Sequence, residues 1–512
     1  MKLECTLTLS KEAIKAKGSI AKFVEEANKT ILLRGAPKGL EGEAARIVDW
    51  KLDGRVLELK IDSGTYVRAP AAALRIKKSL GAFLGKNYGI GVRDLKARDI
   101  TITIPVKTEL DEEVIGRIRA LPVVKAAAVL DRKLNVTLNE MNEKELRRNI
   151  PDKALRLMEE TIEKILKPSA AVAALPIVKQ SEQKPIKFNG DPMKTGIELG
   201  WIKEFPARGQ WIYTTPYAQL FEIIKQTLIE EVAHKQGFQP FMLPKLIPLE
   251  VMKKMPGYLD DIPEGMYYVC PPPRDPEAFK TFKEKLKITG EIPKDELMKV
   301  LKEPEYVLAP AQCEPFWQFY YRETLNADEF PYKFYDCSGW TYRWEGGGAE
   351  GIVRLQEFQR IELSYLGTPE QIVEIRDKIV DECVRVADKI LDMEWRITAA
   401  TPFWAREGKI SVDIHDSKNI SAYDVEIYMP YKGPRDKAEW LEVAGCFVHQ
   451  TKFIDGFKIK ELKGRRMWTG CSGLGLSRWV AAFLATHGFN PDDWPKALTK
   501  SFNKNYKLPS ML

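Results

Sequence analysis

Apolar and polar positions alternate with a period of two in four stretches near the start of the chain: "ECTLTLS", "RVLELKIDSGTYVRA", "DITITIPV" and "LNVTLNE". That period points successive side chains to opposite faces of a strand, and it predicts antiparallel β-structure. Helical spacing around residues 11–29, 70–85 and 143–167 interrupts the strands, so residues 1–166 are expected to form a mixed α/β domain. Next comes "KPSAAVAALPIVKQSEQKPIKFNG", which bears prolines and sustains neither period. It predicts an inter-domain linker over 167–194. From 195 to 512 helical spacing at 216–235 and 368–392 flanks stretches rich in aromatic and β-branched residues. An antiparallel sheet flanked by helices is expected there, and the chain as a whole reads as α+β. No internal repeat is visible.

Composition adds a few limits. Eleven of the twelve tryptophans fall in the C-terminal part, as suits a larger domain with deep pockets. The longest apolar run, "AAVAALPIV", is far short of the roughly 18–20 residues that span a bilayer, so no membrane segment is expected. The opening "MKLECTLTLSKEAIK" has no apolar core of a secretion signal. The seven cysteines are scattered, which predicts reduced thiols and a cytoplasmic location. With only His234, His415, His449 and His487 available, any zinc site must lean on cysteine and carboxylate. The net charge of +7 permits an anionic partner without proving one. Arg75, Lys77, Lys78, Lys86, Arg93, Lys96 and Arg98 lie in one short span. They read either as a solvated face or as a surface for phosphates.

The common nucleotide signatures, a Walker A loop and a G-x-G-x-x-G opening a βαβ unit, are missing. Three other segments stand in order instead. "HKQGFQPFMLPKLIP" ends its apolar run near Pro244. "YRWEGGGAEGIVRLQEFQRIE" holds Arg343-x-Glu345, a glycine-rich loop, then Arg354, Phe358 and Glu362 in strand-like spacing. "GCSGLGLSRW" closes with Gly473-x-Gly475 and Arg478. Taken singly, each residue has a plain structural reading: a paired arginine, a core phenylalanine, a surface glutamate. In order and spacing the segments resemble the three signature motifs of class II aminoacyl-tRNA synthetases. The resemblance implies amino-acid activation, in which a carboxylate attacks the ATP α-phosphate and arginines with Mg²⁺ stabilise the charge. It assigns Arg343 to the α-phosphate and Arg478 to the γ-phosphate. Phe358 would stack on adenine, Glu345 would accept from its amino group, and Arg354 would join the ATP contacts. Glu442, in "EWLEV", would hold the magnesium.

Within that class, "YYVCPPPRDPEAF", "YVLAPAQCEPFWQFYYRETL", "KNISAYDVEIYMP" and "GFNPDDWP" look like the methanogen-type, or type-2, seryl-tRNA synthetases. The likeness runs over nearly the whole chain. It implies one zinc per subunit on Cys313, Glu362 and Cys471, three ligands with a fourth position open to the amino group of the substrate. It also implies ATP, serine and tRNA as partners, a homodimer formed through the first motif, and a tRNA-gripping N-terminal domain. One region departs from the family. Where those enzymes place a polar Asn and Ser in the serine pocket, this chain has Gly445 and Phe447, and the expected tryptophan becomes Phe403 followed by Trp404. A hydroxyl-reading site needs polar partners. Either another group such as His449 or Gln450 reads the serine, or the enzyme activates a different amino acid. A non-tRNA acceptor and a non-catalytic RNA-binding paralogue are the competing classes. The kept N-terminal domain argues against the first, and the intact arginines and zinc trio against the second.

Overall fold

The structure is a computed structural model that describes residues 1–106, 110–166, 176–400 and 420–508. The chain divides into two compact units, Met1–Ala173 and Ala174–Leu512.

The first unit is built on an antiparallel sheet. Its strands run in the spatial order Ala45–Asp53, Val56–Ser63, Lys2–Leu9, Val92–Pro105, Lys133–Leu138, Val124–Leu130, and Met141–Asn142 adds to Val92–Pro105. The alternation in the sequence is realised side chain by side chain: Leu3, Cys5, Leu7 and Leu9 are all buried, as are Leu57, Leu59 and Ile61 opposite them. Helix Ala69–Tyr88 starts with Pro70 in its first turn, where no backbone donor is lost, and stops at Gly89 in the left-handed region. Its Ala72, Ala73, Ile76, Leu80 and Leu84 recur at helical spacing and join the same core. The expected helix at 143–167 is two pieces, Glu143–Arg147 and Ile150–Leu166, broken at Asn149, whose φ is +56°.

The second unit carries a nine-stranded sheet. Its main path is Gln239–Pro240, Tyr332–Asp336, Glu357–Gly367, Trp468–Gly475, Leu441–Gln450, Ala422–Ile427, Trp395–Ala400, Ile177–Gln180. Every pairing along it is antiparallel except the first. Helices Pro369–Arg385 and Leu476–His487 pack on one face, over Ile361, Leu363, Tyr365, Val425, Ala444, Cys446 and Leu474. The first of these helices is fixed at its start by a Thr368–Gln371 capping box with Pro369 behind it. Helix Thr215–Leu228 packs in turn on Leu476–His487. Part of the expected linker is structured: Ile177–Gln180 is the edge strand of this sheet, and Asp191 caps a helix Pro192–Glu198. Four residues between prolines are too few to show a period, which is why the strand escapes a reading of the sequence.

Candidate active site

The opposite face of the sheet carries the chemistry. Register fixes which residues lie side by side there. One row across four strands is Glu362, Gly473, Gly445, Asp424. The next row is Ser364, Cys471, Phe447, Ala422. With neighbouring strands about 4.8 Å apart, the two glycines open a floor of bare backbone between the Glu362 and Asp424 carboxyl groups. Over that floor lies a cavity of about 290 Å³. At Gly473 a side chain would run into the Arg360 guanidinium, which lies across it.

At one end of the cavity Cys313, Glu362 and Cys471 converge, all buried, with one ligand atom from each within 4.8 Å of the others. Cys313 arrives from outside the sheet, on the turn before helix Glu314–Phe319. That turn is held by Gln312, buried and at φ +82°, whose amide donates to Gly339 O at 3.2 Å. Arg360 forms an ion pair with Glu362, yet neither carboxylate oxygen of Glu362 has a hydrogen-bond donor in good geometry. The hydrogen bond to Cys313, then burial and the Glu362 charge, push the Cys471 thiol well above its ordinary value. Burial raises the Glu362 carboxyl too, against the pull of Arg360. Two thiols and a buried carboxylate, mutually repelled when ionised, are a donor set that a soft-tolerant divalent cation satisfies. Beside them His449 is buried, with Nε2 3.4 Å from Cys471 Sγ and Nδ1 3.5 Å from Thr469 Oγ1. Burial first, then Lys452, lowers its pKa to about 3, so it is neutral.

The other end, beyond Gly475, is lined by arginines. Arg478 sits in the first turn of helix Leu476–His487, donating to Val353 O at 3.1 Å and to Glu442. Arg343 donates to Pro310 O at 3.3 Å. Gln356 braces the nearby loop, its Oε1 accepting from Tyr267 Oη at 2.9 Å and from Glu345 N at 3.0 Å. Arg354, Phe358, Glu345 and Glu442 face the same cavity. So do Gly445 and Phe447. The structure thus gathers all the expected site residues into one place except Phe403 and Trp404, which lie outside the described residues. Gln450 is exposed at the end of its strand and does not line the cavity.

Sequence reasoning misses Arg360, Tyr258 and Asp424, which also line it, whereas His449, one of the two groups offered for reading the serine, does reach the cavity. Arg360 was within reach, because it stands two residues before Glu362 on one strand and must share its face. Asp424 was not, since only the register brings it opposite Gly445. Burial, then the Glu442 and Glu426 carboxylates, hold Asp424 well above the carboxylate range, against Arg478.

A guanidinium-lined pocket on an antiparallel sheet, with a glycine-floored centre, is the active-site plan of a class II aminoacyl-tRNA synthetase. The family model for the class II tRNA synthetase core domain (G, H, P, S and T) matches residues 298–487, and the model for a tRNA-binding domain matches residues 1–160. The type-2 serine–tRNA ligase of Methanopyrus kandleri is 40% identical over 98% of this chain and 96% of its own. That of Methanocaldococcus jannaschii is 40% identical over 100% and 98%. A crystal structure of the M. kandleri SerRS in complex with A. aeolicus tRNASec superposes with a TM-score of 0.82, at 38% identity over 100% of this chain and 98% of that one. The cytoplasmic serine–tRNA ligase of Naegleria fowleri shares the fold at 15% identity and a TM-score of 0.50, over 70% and 72% of the chains. The chain belongs to the type-2 serine–tRNA ligase family. It is an ATP-dependent, AMP-forming ligase.

Proposed function

We propose that this enzyme activates serine with ATP and transfers the seryl group to tRNA. The observation that carries the reading is the shared cavity: Arg343, Arg354 and Arg478 at one end and the Cys313–Glu362–Cys471 group at the other, joined by the Gly473–Gly445 floor. Phe358 stacks on the adenine, and Glu345 accepts from its amino group. Arg343, with Arg354 behind it, grips the α-phosphate, and its planar fork follows that phosphate as charge builds. Arg478 takes the γ-phosphate, and Glu442 the magnesium that accompanies it. A serine carboxylate oxygen attacks the α-phosphorus, a new O–P bond forms, and pyrophosphate leaves with the bridging electrons. The terminal ribose hydroxyl of the tRNA then attacks the acyl carbon, and AMP departs.

Cys313, Glu362 and Cys471 would hold zinc, and two buried thiols beside a buried carboxylate fit it. When bound, zinc supplies a Lewis acid that fixes the neutral amino group of the substrate. His449 donates from Nε2 to the Cys471 sulfur and sets its orientation. The N-terminal unit, with its basic span from Arg75 to Arg98, grips the tRNA by shape and backbone. The homodimer forms along the edge strand Gln239–Pro240, beside which Met242 is 86% exposed. Among the described residues no helix is long and apolar enough to cross a membrane, and we place the reaction in the cytoplasm. Serine-dependent ATP–pyrophosphate exchange together with seryl-tRNA formation tests the reading. Exchange without charged tRNA would point to a small-molecule or carrier-protein acceptor instead.

A further inference from the structure

On strand Leu441–Gln450 two cavity-facing positions flank the Cys313–Glu362–Cys471 group: Gly445, in the row of Glu362, and Phe447, in the row of Cys471. They are not independent. A Cβ on Gly445 would lie 3.0 Å from two ring carbons of Phe447 and 3.2 Å from Glu442 Oε1. The ring therefore leans over the bare backbone of Gly445, and the carboxylate that pairs with Arg478 closes the other side. Even a Cβ at 445 requires the ring to give by a few tenths of an ångström, and a side chain reaching past Cβ on that side meets the ring itself. Phe447 itself is only half-buried, so it turns carbon toward the cavity at the level of Cys471. Among the described residues, the buried and half-buried polar groups on its own strand are engaged with other partners: His449 with Thr469 and Cys471, Glu442 with Arg478.

We infer that Gly445 and Phe447 form one steric unit that walls the side-chain end of the amino-acid site with hydrocarbon, so that this enzyme selects a small side chain by size and not by hydrogen bonds to its hydroxyl. The inference rests on the ligase reading above and specifies how that site recognises its substrate. The two modes of recognition differ in magnitude. An apolar wall separates side chains that differ by one hydroxyl by only about a hundredfold, whereas a site built to hydrogen-bond the hydroxyl rejects the analogue lacking it by about 10⁴–10⁵. Alanine is that analogue of serine. Threonine is serine with one more methyl, and size alone must exclude it.

The test is ATP–pyrophosphate exchange by the full-length, zinc-loaded enzyme with serine, alanine and threonine, read as ratios of kcat/KM. Serine over alanine is expected below about a thousandfold. Phe447→Ala is expected to raise threonine relative to serine by about tenfold or more, the effect of removing a wall that excludes one methyl. Gly445→Asn alone is expected to abolish exchange. Combined with Phe447→Ser it is expected to restore exchange and widen serine over alanine by at least about tenfold, the sign of two positions acting as one. Should Gly445→Asn alone fail to fold, the pairing is read by comparing Phe447→Ser with the double variant. A serine-over-alanine ratio at or above about a thousandfold would overturn the inference, and so would Phe447→Ala with an unchanged threonine ratio. Absence of exchange with every amino acid would overturn the ligase reading itself, a result that cannot be confused with steep serine selectivity.

Discussion

Arg478 holds Glu442 twice, its Nη1 donating to the main-chain oxygen at 3.0 Å and to the carboxylate Oε2 at 3.2 Å. The pair aims a guanidinium from a helix start and a carboxylate from a strand into the same end of the cavity. Removing the guanidinium leaves the fold, because its other contact is a single bond to Val353 O. Arg478→Ala is expected to lower kcat/KM for exchange by about 10²–10³, the loss usual for one aimed donor in a charge-stabilising site. Arg478→Lys keeps the charge without the fork and is expected to recover little of it. Exchange kinetics with ATP varied check both, and near-native rates in Arg478→Ala would remove the residue from the phosphate site.

Cys313 and Cys471 meet from distant parts of the chain, so a metal joining them should tie those parts together. Cys471→Ser is expected to lose stoichiometric zinc and to lower the melting temperature by a few degrees. Elemental analysis gives the first, calorimetry the second. Cobalt loading adds a spectroscopic check, because thiolate-to-cobalt bands should be present in the native protein and weakened in Cys471→Ser. Unchanged zinc content in Cys313→Ala and Cys471→Ser alike would dismiss the assignment.

His449 is a positioning residue in this arrangement. Loss of the bond to Cys471 should weaken metal affinity by about 10–100-fold, as removal of outer-shell partners does. His449→Phe, which keeps a ring edge-on to Phe453, is the variant to compare by competition with a chromophoric chelator. A merely structural role would leave the metal affinity and the cobalt spectrum where they were.

His487 supplies a pH dependence well away from the cavity. It is buried at the end of its helix, its Nε2 donating to Leu391 O at 2.7 Å while Nδ1 has no partner. Burial lowers its pKa to about 4. A second proton would enter a site with no acceptor for it, so the unfolded chain takes up that proton first. The stability His487 allows is therefore fully present above about pH 6.5 and drains away as the pH falls toward 4, by on the order of 2–3 kcal/mol. Denaturant melts at pH 7 and pH 4.5 should show a larger drop in the native protein than in His487→Gln. Equal drops would refute the linkage.

The sequence made the sheet and the arginine end legible because both are local. Period-two alternation fixes a strand, and Arg343-x-Glu345 or Gly473-x-Gly475 with Arg478 is a pattern a dozen residues can hold. The metal group is another matter. Cys313, Glu362 and Cys471 have no common period, and only the family spacing singled them out before the fold placed them together. Asp424 stayed hidden because only register, which no short pattern encodes, brings it to the cavity, and nothing in the sequence separated His449 from Gln450 before burial put one inside and left the other out. The strand Ile177–Gln180 stayed hidden because it is short and borrows its hydrogen bonds from Trp395–Ala400, more than two hundred residues later.

Alternation on the central strands has a consequence for reading variants of this gene. On Leu441–Gln450 and Trp468–Gly475, odd-numbered Gly445, Phe447, His449, Cys471, Gly473 and Gly475 border the cavity, while even-numbered Ala444, Cys446, Val448 and Leu474 enter the core. On Glu357–Gly367 the parity is reversed, with Phe358, Arg360 and Glu362 on the cavity side and Ile361, Leu363 and Tyr365 in the core. A missense change one position along the chain thus moves from a defect of catalysis to a defect of folding. Enzyme that is abundant but idle and enzyme that is scarce but competent per molecule should sort by the parity of the residue number from Ala444 onward, past the register shift that brings Glu442 to the cavity and Val443 to the core.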